Sequence, residues 1–331
     1  MARAVEPDTS PVEALTPSVF DDARARVAPV VHHTPLLHSS TLSQLTGYDV
    51  WLKAEVFQRG GSYKVRGPSN KLPQLPPEQR QNGVICSSAG NHAQGVALAA
   101  AQLGVPATVV MARGATPAKI AATEGYGATV VLHGEIWDDA NAEALRLAEE
   151  RDLTFIHPFD DLQLIAGQGT IGLEILDDRP DVDVVVVPIG GGGLISGVSA
   201  AIKGRKPDAT IVGVESSGAP AMTRSVEAGE LVTLGSLDCR IDGLKVARVG
   251  ENTFAIVREL VDRLVTLPDR EIFDAVLWTM ARCKLVVEGA AAAPVAALLA
   301  GLVEAEPGAT VVCVLSGGNV DLELLRGEIL N

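Results

Sequence analysis

The sequence is poor in the residues that most often staple a small secreted or metal-bound protein together. Among its 331 residues are four cysteines, Cys86, Cys239, Cys283 and Cys313, scattered with no C-x-x-C spacing. That excludes a disulfide framework and a zinc site of the usual pattern, and it fits a reducing cytoplasm. Aromatic residues make up only 4% of the chain, so Val, Ala, Leu and Ile must fill the core. Basic charge is scarce as well: 27 Lys and Arg stand against 41 Asp and Glu, a formal net charge of −14. Such a balance repels nucleic acid and anionic membranes on average, so the expected partner is a small molecule. The longest uncharged stretch of the alanine-rich segment, Gly289 to Val303, is too short to span a membrane and contains Pro294, so it predicts a buried helix. The N-terminal MARAVEPDTSPVEALTP has acidic residues and prolines where an export signal needs a basic start and an apolar run, and a cytoplasmic location is expected.

Signatures of common chemistries are missing too. No G-x-S-x-G elbow supports a serine hydrolase. His32, His33 and His38 cluster near Pro35, but no H-E-x-x-H or matching Cys accompanies them, so they read as polar residues around a strand. There is no internal repeat, low-complexity tract or long flexible linker.

What is present is an alternation of short Val/Ile runs with longer Ala/Leu-rich helical patterns. Val84–Cys86 leads into a helix at Asn91–Leu103, closed by Gly104 with Pro106 beyond. Ala107–Met111, a helix after Thr116-Pro117, Thr129–Leu132 and the amphipathic Trp137–Arg151 continue a βαβαβ rhythm, which predicts a parallel sheet. A second series contains Val184–Ile189, suited to a strand buried on both faces, then four glycines, a helix near Leu194–Lys203, a strand at Thr210–Val214 and a last strand at Thr310–Leu315. Two series without a linker predict two lobes with the site between them, at strand ends rich in Gly, Ser and Asn.

Three clusters can carry chemistry. Gly190-Gly191-Gly192-Gly193-Leu194 lies between a buried strand and a helix, where residues without Cβ let the backbone turn several N–H groups onto one anion. It reads as a phosphate cup, the alternative being a tight turn that packs helix on strand. The dinucleotide fingerprint fails, because Ile195 or Ser196 falls at its third glycine. In Gly60-Gly61-Ser62-Tyr63-Lys64-Val65-Arg66-Gly67, Lys64 is either a surface-loop lysine or, if buried, a neutral amine able to form a Schiff base. Ser87-Ser88-Ala89-Gly90-Asn91-His92 opens a helix and offers donors to a carboxylate, or is an ordinary N-cap.

Together with Ser316-Gly317-Gly318-Asn319 these clusters resemble one family. From Thr34-Pro35-Leu36-Leu37 and Lys53-x-Glu55, through the Lys64 and Asn91 segments, Gly167-Gln168-Gly169-Thr170, the four glycines, Asp242-Gly243-Leu244 and Lys284-Leu285-Val286-Val287-Glu288, to Ser316 through Val320-Asp321, the chain resembles fold-type II pyridoxal-phosphate enzymes of the threonine dehydratase and serine racemase group. The resemblance implies a two-lobed α/β architecture like that of tryptophan synthase β, each lobe an open, twisted, mostly parallel sheet flanked by helices. Residues 1–72 and 160–331 would form the large cofactor-binding domain and residues 73–159 a small mobile one.

The resemblance also assigns roles. Lys64 holds pyridoxal 5'-phosphate and then acts as the α-proton base. Gly190, Gly191, Gly192, Gly193 and Leu194 hold its phosphate, Asn91 its phenolic oxygen, and Tyr63 packs on its ring. Ser316 faces the pyridine nitrogen, where a hydroxyl donates a hydrogen bond without protonating it and so favours β-elimination. Ser88, Ala89, Asn91 and His92 bind the substrate carboxylate. Ala89 replaces the serine that racemases use as a second base, so the implied activity is dehydration and deamination of L-threonine, and of L-serine, without efficient racemisation. The alternatives are another 3-hydroxy amino acid such as phenylserine or 3-hydroxyaspartate, a serine racemase, or a non-catalytic ligand-binding homologue. Tyr63, Gly60 and Pro68 depart from the residues usual in the family and leave the substrate open. A divalent cation is doubtful: Glu215 and Ala219 match the racemase ligands, but Ala221 stands at the second acid. Only Leu322–Asn331 follow Asp321, so a regulatory domain is not expected, and a homodimer or homotetramer is usual in such families.

Overall fold

A computed structural model describes residues 10–320, together with 326 and 327, so that of the motif residues above only Asp321 lies outside the described residues. The strands are β1 (Leu36–His38), β2 (Asp49–Ala54), β3 (Val84–Ser87), β4 (Ala107–Met111), β5 (Thr129–Leu132), β6 (Thr154–Phe155), β7 (Val184–Pro188), β8 (Thr210–Ser216), β9 (Arg263–Leu267) and β10 (Thr310–Leu315). They form a six-stranded sheet in the order β1-β2-β10-β7-β8-β9 and a four-stranded sheet in the order β5-β4-β3-β6. Every pairing is parallel except β1 with β2, so the expected α/β class with mostly parallel sheets is borne out.

The valine run of β7 shows why this sequence makes a central strand. Val184 and Val186 point into one core, against Val212, Val311 and the alanines of the Gly289–Leu299 helix. Val185 and Val187 point into the other, with Ile195, Val198 and Ile202 of the Gly193–Lys203 helix. Period-two alternation with both faces covered leaves no polar side, so the strand reads as a continuous apolar run. The small sheet repeats the device: Val84 and Cys86 pack on Val96 and Ala100, whereas Ile85 packs on Ala140, Ala144 and Leu147. The Ala-rich stretch is a helix as expected, buried along Ala290–Leu298 and continuous through Pro294.

The carboxyl ends of β2, β3, β7 and β10 open toward one crevice. β3 runs into the Asn91–Leu103 helix, β7 into the four glycines, and β10 into Ser316. The loop after β2 carries Lys64 and is tied to the loop after β10 by a Ser62–Gly317 bridge, the Tyr63 amide donating to the Ser316 carbonyl at 3.1 Å and the Gly318 amide to the Gly61 carbonyl at 2.8 Å.

Candidate active site

Lys64 is placed by what lies behind it. Two residues on, Arg66 is wholly buried, and its guanidinium donates to Glu55 at 2.8 Å, to Glu174 at 2.7 and 3.0 Å, and to the Thr170 hydroxyl at 3.0 Å. Lys53, also wholly buried, pairs with Glu174 at 2.7 Å and donates to the Thr34 carbonyl at 2.7 Å. Two cations and two carboxylates thus neutralise one another in the interior, and removing one would strand another. Thr34, Lys53, Glu55, Arg66 and Thr170, met in the sequence as motif letters without a task, form the footing of the catalytic loop. From the other side, Gly95 lets the Asn91–Leu103 helix touch the loop directly, since a Cβ there would stand 2.5 Å from the Lys64 carbonyl oxygen.

The Lys64 amine reaches the cavity and donates to the Pro158 carbonyl at 2.9 Å. Burial pulls its pKa down from the ordinary lysine range to about 8, while the charge of Glu288 opposes the shift. A neutral amine, and hence a nucleophile, is therefore within reach near neutral pH.

Across the cavity the four glycines are a fitted surface rather than a loose loop. A Cβ on Gly190 would stand 2.3 Å from the Gly243 carbonyl oxygen, one on Gly191 2.2 Å from the Phe159 ring, and one on Gly193 2.8 Å from the Phe159 carbonyl oxygen. Gly192 adopts φ +92° and caps the Gly193–Lys203 helix with no side chain. The first backbone amide to donate back is that of Ser196, to Gly192, which leaves the amides of the opening turn without a helical partner on residues that line the cavity. A helix start with free amides and no side chain in the way suits a phosphate.

Of the residues singled out in the sequence, Lys64, Tyr63, Asn91, Gly190, Gly191, Gly192, Gly193, Leu194 and Ser316 line this one cavity. Ser88, Ala89 and His92 stand behind it at the start of the Asn91 helix. The Ser88 amide is committed to the Val110 carbonyl at 3.2 Å, and its hydroxyl accepts from the Gly90 amide at 3.1 Å. His92 turns inward, its Nε2 meeting the Ile156 carbonyl at 3.0 Å, and burial with the Lys64 charge pushes its pKa down to about 3, so it is neutral. No side chain caps this helix either.

Glu215 is wholly buried and fully engaged: its oxygens accept from the Met222 amide at 2.8 Å and from the Thr223 amide and hydroxyl at 2.8 and 2.6 Å. Helix amides thus occupy the carboxylate that a cation would need, and among the described residues no group of three or more His, Cys, Asp or Glu could hold a metal ion.

Residues that carried no local signal complete the site. Phe159 packs on the glycine turn, Thr253 donates to the Gly191 carbonyl at 2.8 Å, and Glu288 accepts from Asn91. Glu288 could have been suspected from the Lys284–Glu288 motif; a single Phe, Pro or Thr far along the chain offers no such cue.

A half-buried amine of lowered pKa, facing a phosphate-sized glycine cradle and a serine hydroxyl across a parallel-sheet crevice, defines an enzyme built around a phosphorylated, carbonyl-bearing cofactor. The chain belongs to the pyridoxal-phosphate dependent enzyme family, whose model matches residues 27–317, so the family expected from the motifs is borne out. It is 47% identical over 311 residues to an L-threonine ammonia-lyase of Thermotoga maritima, covering 94% of this chain and 77% of that one. Among solved structures, threonine deaminase isoform 2 from Solanum lycopersicum superposes with a TM-score of 0.90 at 38% identity, covering 94% of this chain and 91% of that one. Maize serine racemase superposes equally well, with a TM-score of 0.90 at 36% identity, covering 95% and 97%.

Proposed function

We propose that this protein is a pyridoxal-phosphate dependent ammonia-lyase that converts L-threonine to 2-oxobutanoate and ammonia, and L-serine to the corresponding oxo acid. The observation that carries the reading is the Lys64 amine of lowered pKa set opposite the glycine cradle in one cavity. Gly190 to Leu194 would hold the cofactor phosphate on backbone amides, Tyr63 would pack on the ring, Asn91 would meet the phenolic oxygen, and Ser316 would meet the ring nitrogen. When bound, pyridoxal phosphate supplies the electron sink that makes the substrate α-proton acidic. The amides of Ala89, Asn91 and His92 hold the substrate carboxylate. Lys64 would take the substrate α-proton onto Nζ and hand a proton to the departing β-hydroxyl, which leaves as water; hydrolysis of the resulting 2-imino acid takes up one water and gives the oxo acid and ammonia. The serine hydroxyl at 316 would donate to the ring nitrogen without charging it, which would favour expulsion of a β-substituent.

Ala89 decides against racemisation, because a methyl group cannot return a proton to the opposite face. We further propose that residues 73–159 move as a small lobe over the large one, that the enzyme acts in the cytoplasm and that it assembles as a homodimer or homotetramer. The test is keto-acid release from a panel of L-threonine, L-serine, phenylserine and 3-hydroxyaspartate. Threonine is expected to show the highest kcat/KM. Turnover of phenylserine or 3-hydroxyaspartate with threonine inert would reassign the substrate.

A further inference from the structure

Asn91 is held from two sides. Its Nδ2 donates to Glu288 Oε1 at 2.8 Å and Oε2 at 3.0 Å, and its Oδ1 accepts from Asn319 Nδ2 at 2.8 Å. Asn319 Nδ2 also donates to the Gly60 carbonyl at 2.7 Å, which spends both of its N–H bonds and fixes its amide. The two oxygens of one carboxylate lie too close together to be met separately by the diverging N–H bonds of one amide nitrogen. Both contacts to Glu288 therefore belong to a single N–H of Asn91, and the second N–H remains free on a residue that lines the cavity.

We propose that Glu288 is a positioning residue of this site: as an acceptor-only carboxylate it fixes the orientation of the Asn91 amide, so that the free N–H is presented to the phenolic oxygen of bound pyridoxal phosphate. This rests on the cofactor reading above and assigns the residue that makes Asn91 a donor there rather than an acceptor. An amide has two orientations of nearly equal shape. Only a partner that cannot donate, on one side, and one that cannot accept, on the other, select between them, and the ionised Glu288 and the committed Asn319 supply the two.

The charge state of Glu288 is part of the device. Burial, with Asp242 adding to it, lifts its pKa to about 7, while the Asn91 hydrogen bond, Lys64 and Lys119 oppose the rise, and Tyr63 faces it as a neutral phenol. Above that pH the carboxylate accepts and holds the amide. Below it the protonated acid can donate, and Asn91 loses its fixed orientation.

The experiment compares holoenzyme of the native chain, E288Q and E288D. It measures pyridoxal-phosphate affinity by equilibrium dialysis and follows the visible absorbance of the bound cofactor through a pH titration across 7. Glutamine can both donate and accept, so E288Q is expected to weaken cofactor affinity about ten-fold, the loss of one hydrogen bond to a charged group, and to abolish the spectral transition near pH 7. E288D, which keeps an acceptor-only group, is expected to retain the transition. Native affinity with an unaltered transition in E288Q overturns the proposal while leaving the cofactor reading intact. If the native chain itself retains no pyridoxal phosphate, the cofactor reading falls and this inference with it.

Discussion

At the scale of single residues, the chemistry rests on a few side chains whose environments change what they can do. Lys64 is an ordinary amine made reactive by burial. Because its pKa is lowered to about 8, the neutral nucleophilic fraction grows as pH rises toward that value and is complete above it. The rate at which apoprotein captures pyridoxal phosphate, followed by visible absorbance, should accordingly rise about ten-fold per pH unit below 8 and level off above it. A capture rate still climbing steeply well above pH 9 would mean the amine is not perturbed. Ala89 is the residue whose lack of a function shapes the outcome. Ala89→Ser is expected to add measurable D-serine formation from L-serine, read by chiral chromatography, with dehydration retained. Racemisation by the native enzyme at a comparable rate would instead place the second base elsewhere.

Single residues were also where legibility varied most. The four glycines announced themselves because ordinary loops do not need such a cluster, whereas Lys64 read equally as a surface-loop lysine until the family resemblance gave it a role. Phe159 and Thr253 did not announce themselves, and Glu288 stood in a motif without a task, since each acquires its meaning only when distant segments of the chain meet. No spacing within the chain encodes that meeting.

At the scale of elements, the clearest strands in the sequence were those buried on both faces. β3, β4, β7, β8 and β10 follow the Val/Ile runs closely, because a central parallel strand has no polar side to blur the pattern, and β5 shows the same kind of run although it lies at the edge of the small sheet and is only partly covered. β1 and β2 gave no such signal: β1 has three residues, is antiparallel at the sheet edge and is only half covered. β9, at the opposite edge, carries the exposed Arg263 and partly covered neighbours, and β6 is two residues long. The glycine turn and the buried ion network are the elements that bear most on function. Gly191→Ala would drive a methyl group into the Phe159 ring, so it should cost about 1–3 kcal/mol of stability and at least ten-fold in cofactor affinity, measured by thermal melting and equilibrium dialysis. Were Gly191→Ala to bind the cofactor as the native chain does, the turn would not be the phosphate cradle. Glu174→Ala leaves Arg66 short of one partner and Lys53 without its nearest carboxylate; a loss of about 3–5 kcal/mol in denaturant unfolding is expected.

At the scale of the whole molecule, a chain with net charge −14 opens two helices, at Asn91 and Gly193, toward the same crevice with no side chain capping either, which suits them to the two anions of the proposed reaction, a phosphate and a carboxylate, without a basic surface. The two sheets supply one of these helices each, so the site is assembled only where the sheets face each other, and its contents depend on both. Lys119 and Asp242 bridge the crevice at 3.2 Å, but the aspartate is largely exposed, so the pair contributes little to holding the sheets together. The account as a whole stands on one amine. Native protein supplied with pyridoxal phosphate and L-threonine should release 2-oxobutanoate and ammonia in equal amounts, and Lys64→Ala, folded and given the same cofactor, should release them at least about a thousand-fold more slowly. Undiminished release by the Lys64→Ala protein would contradict it.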